Sequence, residues 1–230
     1  MIEAGHEHGE RSGLMGTPGV VPSFSKDEIV EVALALIDEK GTKGFTIRAL
    51  ADRVGISPMG IYTYFSSKED IAAHVLGRVL SEVDNEPVPG EFWEDTLHRV
   101  CDSIRAAALA HPKARLMRHE LGVGWPQVHN RHVYCLHLDQ GMPRGVYEHM
   151  HHVLRAFLDG YLDQEARATV QRTDSDIPDE EEWTRVSIGS YESEAFNQGI
   201  DFIIAGTRAI AAPSDCEWYT PEDPAKWTLI

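Results

Sequence analysis

The 230-residue chain is 42% hydrophobic and 25% charged, which is ordinary for a globular protein, and no apolar run approaches the roughly 20 residues that span a bilayer. Its three cysteines, Cys101, Cys135 and Cys216, are odd in number and widely spaced; with no CxxC pair, they exclude a disulfide framework or a cysteine zinc site and point to a reducing cytoplasm. The formal charge of −16 argues against a nucleic-acid partner until it is divided along the chain: residues 1–20 carry −2, residues 21–80 carry −1 and residues 81–230 carry −13. The near-neutral front is free to present a basic face, while the acidic remainder weakens non-specific adhesion to phosphate.

Residues 1–23 are rich in Gly, Pro, Glu and His and lack periodicity. They are expected to form a disordered tail without the charged and apolar regions of a secretory signal, and His6 and His8 are assigned no role. The first helix is expected to open at a capping box, Ser25-x-x-Glu28. Ile29, Val32, Ala33, Leu36 and Ile37 then recur at helical spacing until Gly41 stops it. A second helix is expected over 47–54 with Thr46 as N-cap, and a tight turn follows at Gly55-Ile56-Ser57. A short third helix has Ser57 as cap and Pro58 at its first position, where the missing N–H is harmless. A fourth opens at Ser66 and reaches about Val83, before the two prolines between Asn85 and Gly90. Beyond Phe92 the pattern predicts helices near 91–110, 113–121, 126–139, 143–167 and 189–211, with an acidic, apolar-poor loop over 171–182. The class is therefore all-α, with a three-helix N-terminal domain over 24–70, a helical domain over 71–212 and a C-terminal tail over 213–230.

Residues 47–64 have the arithmetic of a helix-turn-helix. Ala51 is small where two helices cross, Gly55 four residues on suits a left-handed turn, and Ile61 six further on closes a miniature core with Leu50, Val54 and Ile56. The stretch Ile29 to Asp70, with Ala33-x-x-Leu36, Gly44-Phe45-Thr46, Ala51-x-x-x-Gly55-Ile56-Ser57, Ile61-Tyr62-x-Tyr64-Phe65 and Ser67-Lys68, strongly resembles the DNA-binding domain of the tetracycline-repressor (TetR) family. The resemblance implies DNA binding for the domain over 24–70, with base contacts from Arg48, Pro58, Met59, Gly60 and Tyr62, and phosphate contacts from Thr46, Thr63, Tyr64 and Lys68. Ser57 belongs to the same surface, its small size letting the backbone approach the bases.

A weaker resemblance to the tetracycline repressors' own subgroup continues through Phe92-Trp93-x-Asp95, Leu121-Gly122, Gln140-Gly141, Gly160, Asp163-Gln164-Glu165 and Phe196-x-x-Gly199-Ile200-x-x-Ile203-Ile204-x-Gly206. It implies ligand binding and dimerisation for the domain over 71–212, in a homodimer held by a four-helix bundle with Phe196, Gly199, Ile200, Ile203 and Thr207 as its apolar stripe. The positions matching that subgroup's drug–magnesium anchors are Val100, Glu120, Val123 and Gln164, which would remove most of them. A mostly apolar effector pocket is expected instead, from Val100, Ile104, Trp125, Val133 and Tyr134, with Glu120, His151 and Arg155 as polar anchors. Glu148 and His152 stand four apart on one helical face and could hold a divalent ion, so a metal-responsive regulator stays open as an alternative, as does a helical interaction protein that binds no DNA. No nucleophile elbow, phosphate loop or paired catalytic carboxylate is present. The expectation is a cytoplasmic repressor, not an enzyme, with no cofactor, no catalytic or metal-site residues and no membrane contact, whose partners are double-stranded operator DNA, a second copy of itself and a small-molecule effector.

Overall fold

A computed structural model describes residues 24–124, 131–174 and 193–211. The expected N-terminal tail, Trp125, His129, the acidic stretch beyond residue 174, Cys216 and the C-terminal tail lie outside the described residues. Those described are helical, without a strand among them.

Local chemistry sets the N-terminal boundaries. Helix α1 (Lys26–Gly44) opens where the Ser25 hydroxyl accepts the Glu28 N–H at 3.1 Å and the Glu28 carboxylate accepts the Ser25 N–H at 2.7 Å, so two otherwise orphaned donors satisfy each other's residue. Gly41 breaks it with φ 64°, and one further turn closes when the Phe45 N–H reaches the Gly41 carbonyl at 3.1 Å. In α2 (Ile47–Val54) the Thr46 hydroxyl caps the Ala49 N–H at 3.1 Å. Gly55 ends that helix at φ 85°, its own N–H donating to the Ala51 carbonyl at 2.8 Å. Ser57 caps α3 (Pro58–Ile61) through the Gly60 N–H at 3.0 Å, and Ser67 caps α4 (Lys68–Leu80) through the Asp70 N–H at 3.1 Å. Ala51, Leu50, Ile61, Phe45 and Phe65 are all sealed from solvent beneath α1.

The body contains α5 (Trp93–Ala110), α6 (Pro112–Leu121), α7 (Arg131–Asp139), α8 (Arg144–Asp174) and α9 (Ser193–Ala211). The 31-residue α8 packs against α5, α6, α7 and α9. It runs seven residues past the expected end at 167, because no Gly or Pro stops it and Ala166 and Ala168 are still buried. Residues 171–174, expected in a loop, are therefore its last turn.

The two halves share their interior. One cluster of buried apolar side chains runs from Ile29 and Phe65 through Val75 and Val79 to Trp93, Leu97, Met117 and Phe196. The seam is also polar: His111 Nδ1 lies 2.6 Å from Asp38 Oδ2 of α1 and His111 Nε2 lies 3.6 Å from Glu82 Oε2 after α4, while the Lys113 ammonium donates to the Glu39 carbonyl at 3.2 Å.

The turn at Gly55 yields a stability test. A Cβ there would meet no neighbouring atom within 4 Å, so Gly55→Ala isolates the penalty of a left-handed backbone, about 1–2 kcal/mol. Urea unfolding should show a lower midpoint at unchanged slope; an unshifted midpoint would mean that the turn relaxes to another conformation.

Candidate DNA-reading surface and interior cavity

The helix-turn-helix exposes the side chains expected to read DNA. Arg48, Ser57, Pro58, Met59 and Tyr62 face solvent, Met59 at 74% exposure although it is apolar. Gly60 is half-buried, and a Cβ there would reach Ile56 only at 3.4 Å, ordinary contact distance; the chain's own packing therefore does not demand a glycine. Arg53, one turn from Arg48, is tied to Glu39 at 2.5 Å.

The phosphate-facing set is less uniform than the resemblance implies. The Thr46 hydroxyl is an acceptor in its cap and keeps its proton to donate. Thr63 differs, because its hydroxyl already donates to the Gly60 carbonyl at 2.7 Å and would have to break that bond to serve a phosphate. Tyr64 is half-buried against the core. The Lys68 ammonium sits 5.2 Å above the Phe45 ring, at the N-terminal end of α4, where the ring face attracts it.

The body contains a cavity of about 110 Å³ that is partly open to solvent. Its apolar wall comes from α5 and α8, with Leu97, Val100, Ile104, Met150, Leu154 and Leu158; its polar groups are Thr96, Arg115, His137, His151, Arg155 and Asp159, and Asn85 of the α4–α5 link closes one side. The expected residues Val100, Ile104, Val133, His151 and Arg155 line it. Two others do not. Glu120 is exposed and borders a separate surface hollow beside Lys40 and Lys113, because α6 turns its other face to α8. Tyr134 stands behind the lining, edge-on to Tyr147 at 4.8 Å between ring centres. Trp125 lies outside the described residues.

At one end of the cavity Arg115, 1% exposed, is covered by α8. Burial holds its guanidinium below its ordinary pKa, opposed by Asp163, whose Oδ1 lies 2.8 Å from Arg115 Nε. Asp163 also takes Arg118 and His119, each at 2.6 Å. Burial alone would raise the Asp163 carboxyl, but the charges of Arg115 and Arg118 and the hydrogen bonds from Arg118 and His119 hold it below the ordinary carboxylate value.

At the other end is His137, a residue with no distinguishing spacing in the sequence. It is 1% exposed, with its ring edge-on to Tyr147 at 5.3 Å and 5.9 Å from that of Trp93. Its Nδ1 lies 2.6 Å from the Val133 carbonyl; since a carbonyl only accepts, that nitrogen carries the proton and Nε2 is left as an acceptor, buried and without a hydrogen-bond partner among the described residues. Burial lowers the His137 pKa to about 4. Its neighbour Cys101 is pushed up by burial to about 12 and remains a thiol.

The stripe expected to join two subunits is instead largely internal. Phe196 and Ile200 are fully buried within one chain and Thr207 nearly so. Phe196 packs against Phe157 and Tyr161 at 5.8 and 5.3 Å beneath the Arg105 guanidinium. A Cβ on Gly199 would fall 2.4 Å from Phe157, so that glycine serves the approach of α9 to α8. Ile203 is half-buried in the same seam. The outward face of α9 is a second apolar stripe, with Phe202 78% and Ile210 72% exposed and Ala205, Gly206 and Ala209 between them. Beside it on α8 stand Val153, 57% exposed, and the exposed Ala156 and Gly160.

A capped helix-turn-helix with an exposed second helix, set on an all-α body, defines the class: an all-α protein carrying an N-terminal helix-turn-helix. Residues 29–75 match the model of the family described as "Bacterial regulatory proteins, tetR family". By that match the segment is a TetR-type DNA-binding domain. An HTH-type transcriptional regulator of Saccharopolyspora erythraea is 30% identical over 110 residues, 43% of this chain and 47% of the relative. The class E tetracycline repressor protein of Escherichia coli is 29% identical over 90 residues, 38% of this chain and 43% of the relative. The chain thus spans less than half the length of these relatives. Two solved structures share the whole architecture. The Streptomyces coelicolor TetR family protein ActR in complex with (S)-DNPA aligns at TM-score 0.62 and 20% identity, over 83% of this chain and all of that one. BioQ with its double-stranded DNA operator aligns at 0.60 and 17%, over 81% and 99%. At these identities the likeness is one of fold.

The buried histidine predicts a pH dependence. The unfolded chain takes up a proton near the ordinary value of 6.5, the folded chain only near 4, so the unfolded state binds more protons in between. Stability is full above 6.5 and falls as pH drops toward 4, by roughly 2 kcal/mol between pH 7.5 and 5 from this residue. In His137→Phe that part of the loss should vanish, as measured by urea midpoints at the two pH values; an unchanged difference would show that His137 titrates normally. Mass spectrometry after brief alkylation of the folded protein should find Cys135, which is exposed, modified and Cys101 not.

Proposed function

We propose that the chain is a cytoplasmic, ligand-responsive repressor that grips a palindromic operator as a homodimer and is released by a small, mostly apolar effector. The observation that carries this reading is the largely apolar cavity in a body whose core is continuous with that of the helix-turn-helix, with Asn85 at the foot of the α4 link forming part of its wall. The described cavity is smaller than the ~300 Å³ typical of the smallest ligand pockets, so a larger effector must widen it. Its effect on DNA binding then equals its preference for the widened shape over the DNA-bound one. ActR with a bound small molecule and BioQ with bound operator, both on this architecture, support each half of the reading.

A magnesium chelate lacks support: Val100 and Val123 offer no donor atom, and Glu120 lies off the cavity. Metal sensing lacks it too. Glu148 is exposed and pairs with Arg144 at 3.2 Å, and no group of three metal-ligating side chains gathers among the described residues.

Two subunits joined through the outward faces of α8 and α9 would bury Phe202, Ile210 and Val153 and bring small residues, Gly160 and Gly206, against the partner's backbone. Phe202→Glu leaves the single-chain core untouched, so it should yield folded monomers with lost operator binding; sedimentation showing an intact dimer would place the interface elsewhere.

On DNA, Arg48→Ala should lose about 1–3 kcal/mol and relax specificity at one base pair per half-site. Lys68→Ala should weaken all sequences alike and flatten the salt dependence by about one unit. Titrations with the DNA upstream of the protein's own gene test both, and equal loss on operator and random DNA for Arg48→Ala would remove it from base reading. Failure of the parent protein to shift that DNA in a gel would leave the helical interaction protein as the better account.

A further inference from the structure

Within the proposed effector pocket, the His137 ring carries a buried nitrogen that no hydrogen-bond partner among the described residues meets. His137 lines the cavity and is buried at 1% exposure. Its Nδ1–H is spent on the Val133 carbonyl at 2.6 Å, which fixes the tautomer and orients the ring, and the opposite nitrogen, Nε2, has no partner among the described residues. The other polar groups of the cavity are engaged: Arg115 with Asp163 at 2.8 Å, and Arg155 beside Asp159 at 3.9 Å. Around the imidazole the wall is aromatic. Tyr147 stands edge-on to His137, and its far side carries His151 stacked at 5.8 Å and 12°.

We propose that His137 Nε2 is the effector's specificity point: it accepts a hydrogen bond from a hydroxyl on an otherwise apolar, aromatic molecule. This rests on the reading of the cavity as an effector site and names the chemistry of what enters it. A buried acceptor lone pair selects a donor and rejects the same skeleton with its donor capped, because rejection leaves both the acceptor and a desolvated ether unpaired. An anion finds only lone-pair repulsion there, and a cation would be stranded in an apolar wall. A flat ring fits the aromatic end of the cavity, where edge-to-face contacts with Tyr147 are available.

The test uses the full chain and three probes of one skeleton: 1-naphthol, 1-methoxynaphthalene and naphthalene. Calorimetric titration should show 1-naphthol binding about tenfold more tightly than either other compound. In His137→Phe that preference should collapse to about twofold or less, with naphthalene binding as well as before. His137→Gln, which keeps an acceptor on a longer polar chain, should retain part of the preference, and circular dichroism confirms that each variant is folded. Equal affinity of naphthol and its ether for the parent protein would overturn the proposal, showing that Nε2 is already met by water. So would a preference that survives in His137→Phe, or a parent protein that binds none of the three. A separate gel shift distinguishes the two levels: naphthol selectivity through His137 without any effect on DNA would sink the repressor reading and leave the hydrogen bond standing.

Discussion

The body of this protein is organised by a buried positive charge. Arg115 projects from α6 beneath α8, where its guanidinium has exchanged water for the Asp163 carboxylate and the backbone carbonyls of Leu158 and Asp159 at 3.4 and 3.2 Å. A charge removed from water is tolerable only when paired and hydrogen-bonded, so α8 has one register against α6: a slip of a single residue would carry Asp163 around the helix by 100° and strand the arginine. That register decides what every other residue of α8 faces. It points His151, Leu154 and Leu158 into the cavity, sets Phe157 and Tyr161 against α9, and leaves Val153, Ala156 and Gly160 outward. Cavity, intrachain seam and free apolar face are three sides of one helix fixed by one ion pair.

A second pair works in the same way across α5 and α8. Arg105 holds Glu165 through two hydrogen bonds, at 2.5 and 3.0 Å, and lays its guanidinium over Phe196, so the polar clamp also roofs the apolar seam with α9. At the far end of the body the tie is neutral: the Gln140 side chain accepts the Trp93 N–H at 2.7 Å and donates to the Glu91 carbonyl at 3.2 Å, docking the end of α7 onto the start of α5. This places His137, one turn earlier on α7, beside Trp93 and the cavity.

The parts legible in the sequence are those governed by neighbours in the chain. Ser25 with Glu28, Thr46, Ser57 and Gly55 announce helix ends because capping and left-handed turns act over three or four residues. The face that a long helix presents to each neighbour is not local, and there the sequence misled. Helix α9 is apolar on two sides, Phe196–Ile200–Ile203–Thr207 and Phe202–Gly206–Ala209–Ile210; periodicity marks both stripes but cannot tell which one a helix of the same chain covers. Glu120 was misplaced for the same reason, since matching a position along α6 does not fix which side of the helix meets the cavity. His137 was one histidine among several, and only the packing of Trp93, Tyr147 and Gln140 around it sets it apart. The Thr63 hydroxyl shows the finer limit: its proton goes to Gly60, a bond read only from coordinates.

The unbroken interior that links α1 and α4 to α5 and α6 makes the reading head poorly portable. Many two-domain proteins exchange modules because the joint is a linker that either partner can accept. Here the joint is a shared core, fastened by His111 between Asp38 and Glu82 and by Lys113 on Glu39. Grafting residues 26–83 onto a foreign body would expose the undersides of α1 and α4 unless the new α6 offered equivalents of Ala114, Met117, His111 and Lys113. On the proposed function, DNA and ligand preference are therefore expected to change by substitution in place, at solvent-facing positions of α2 and α3 and at the cavity wall, rather than by recombination of halves.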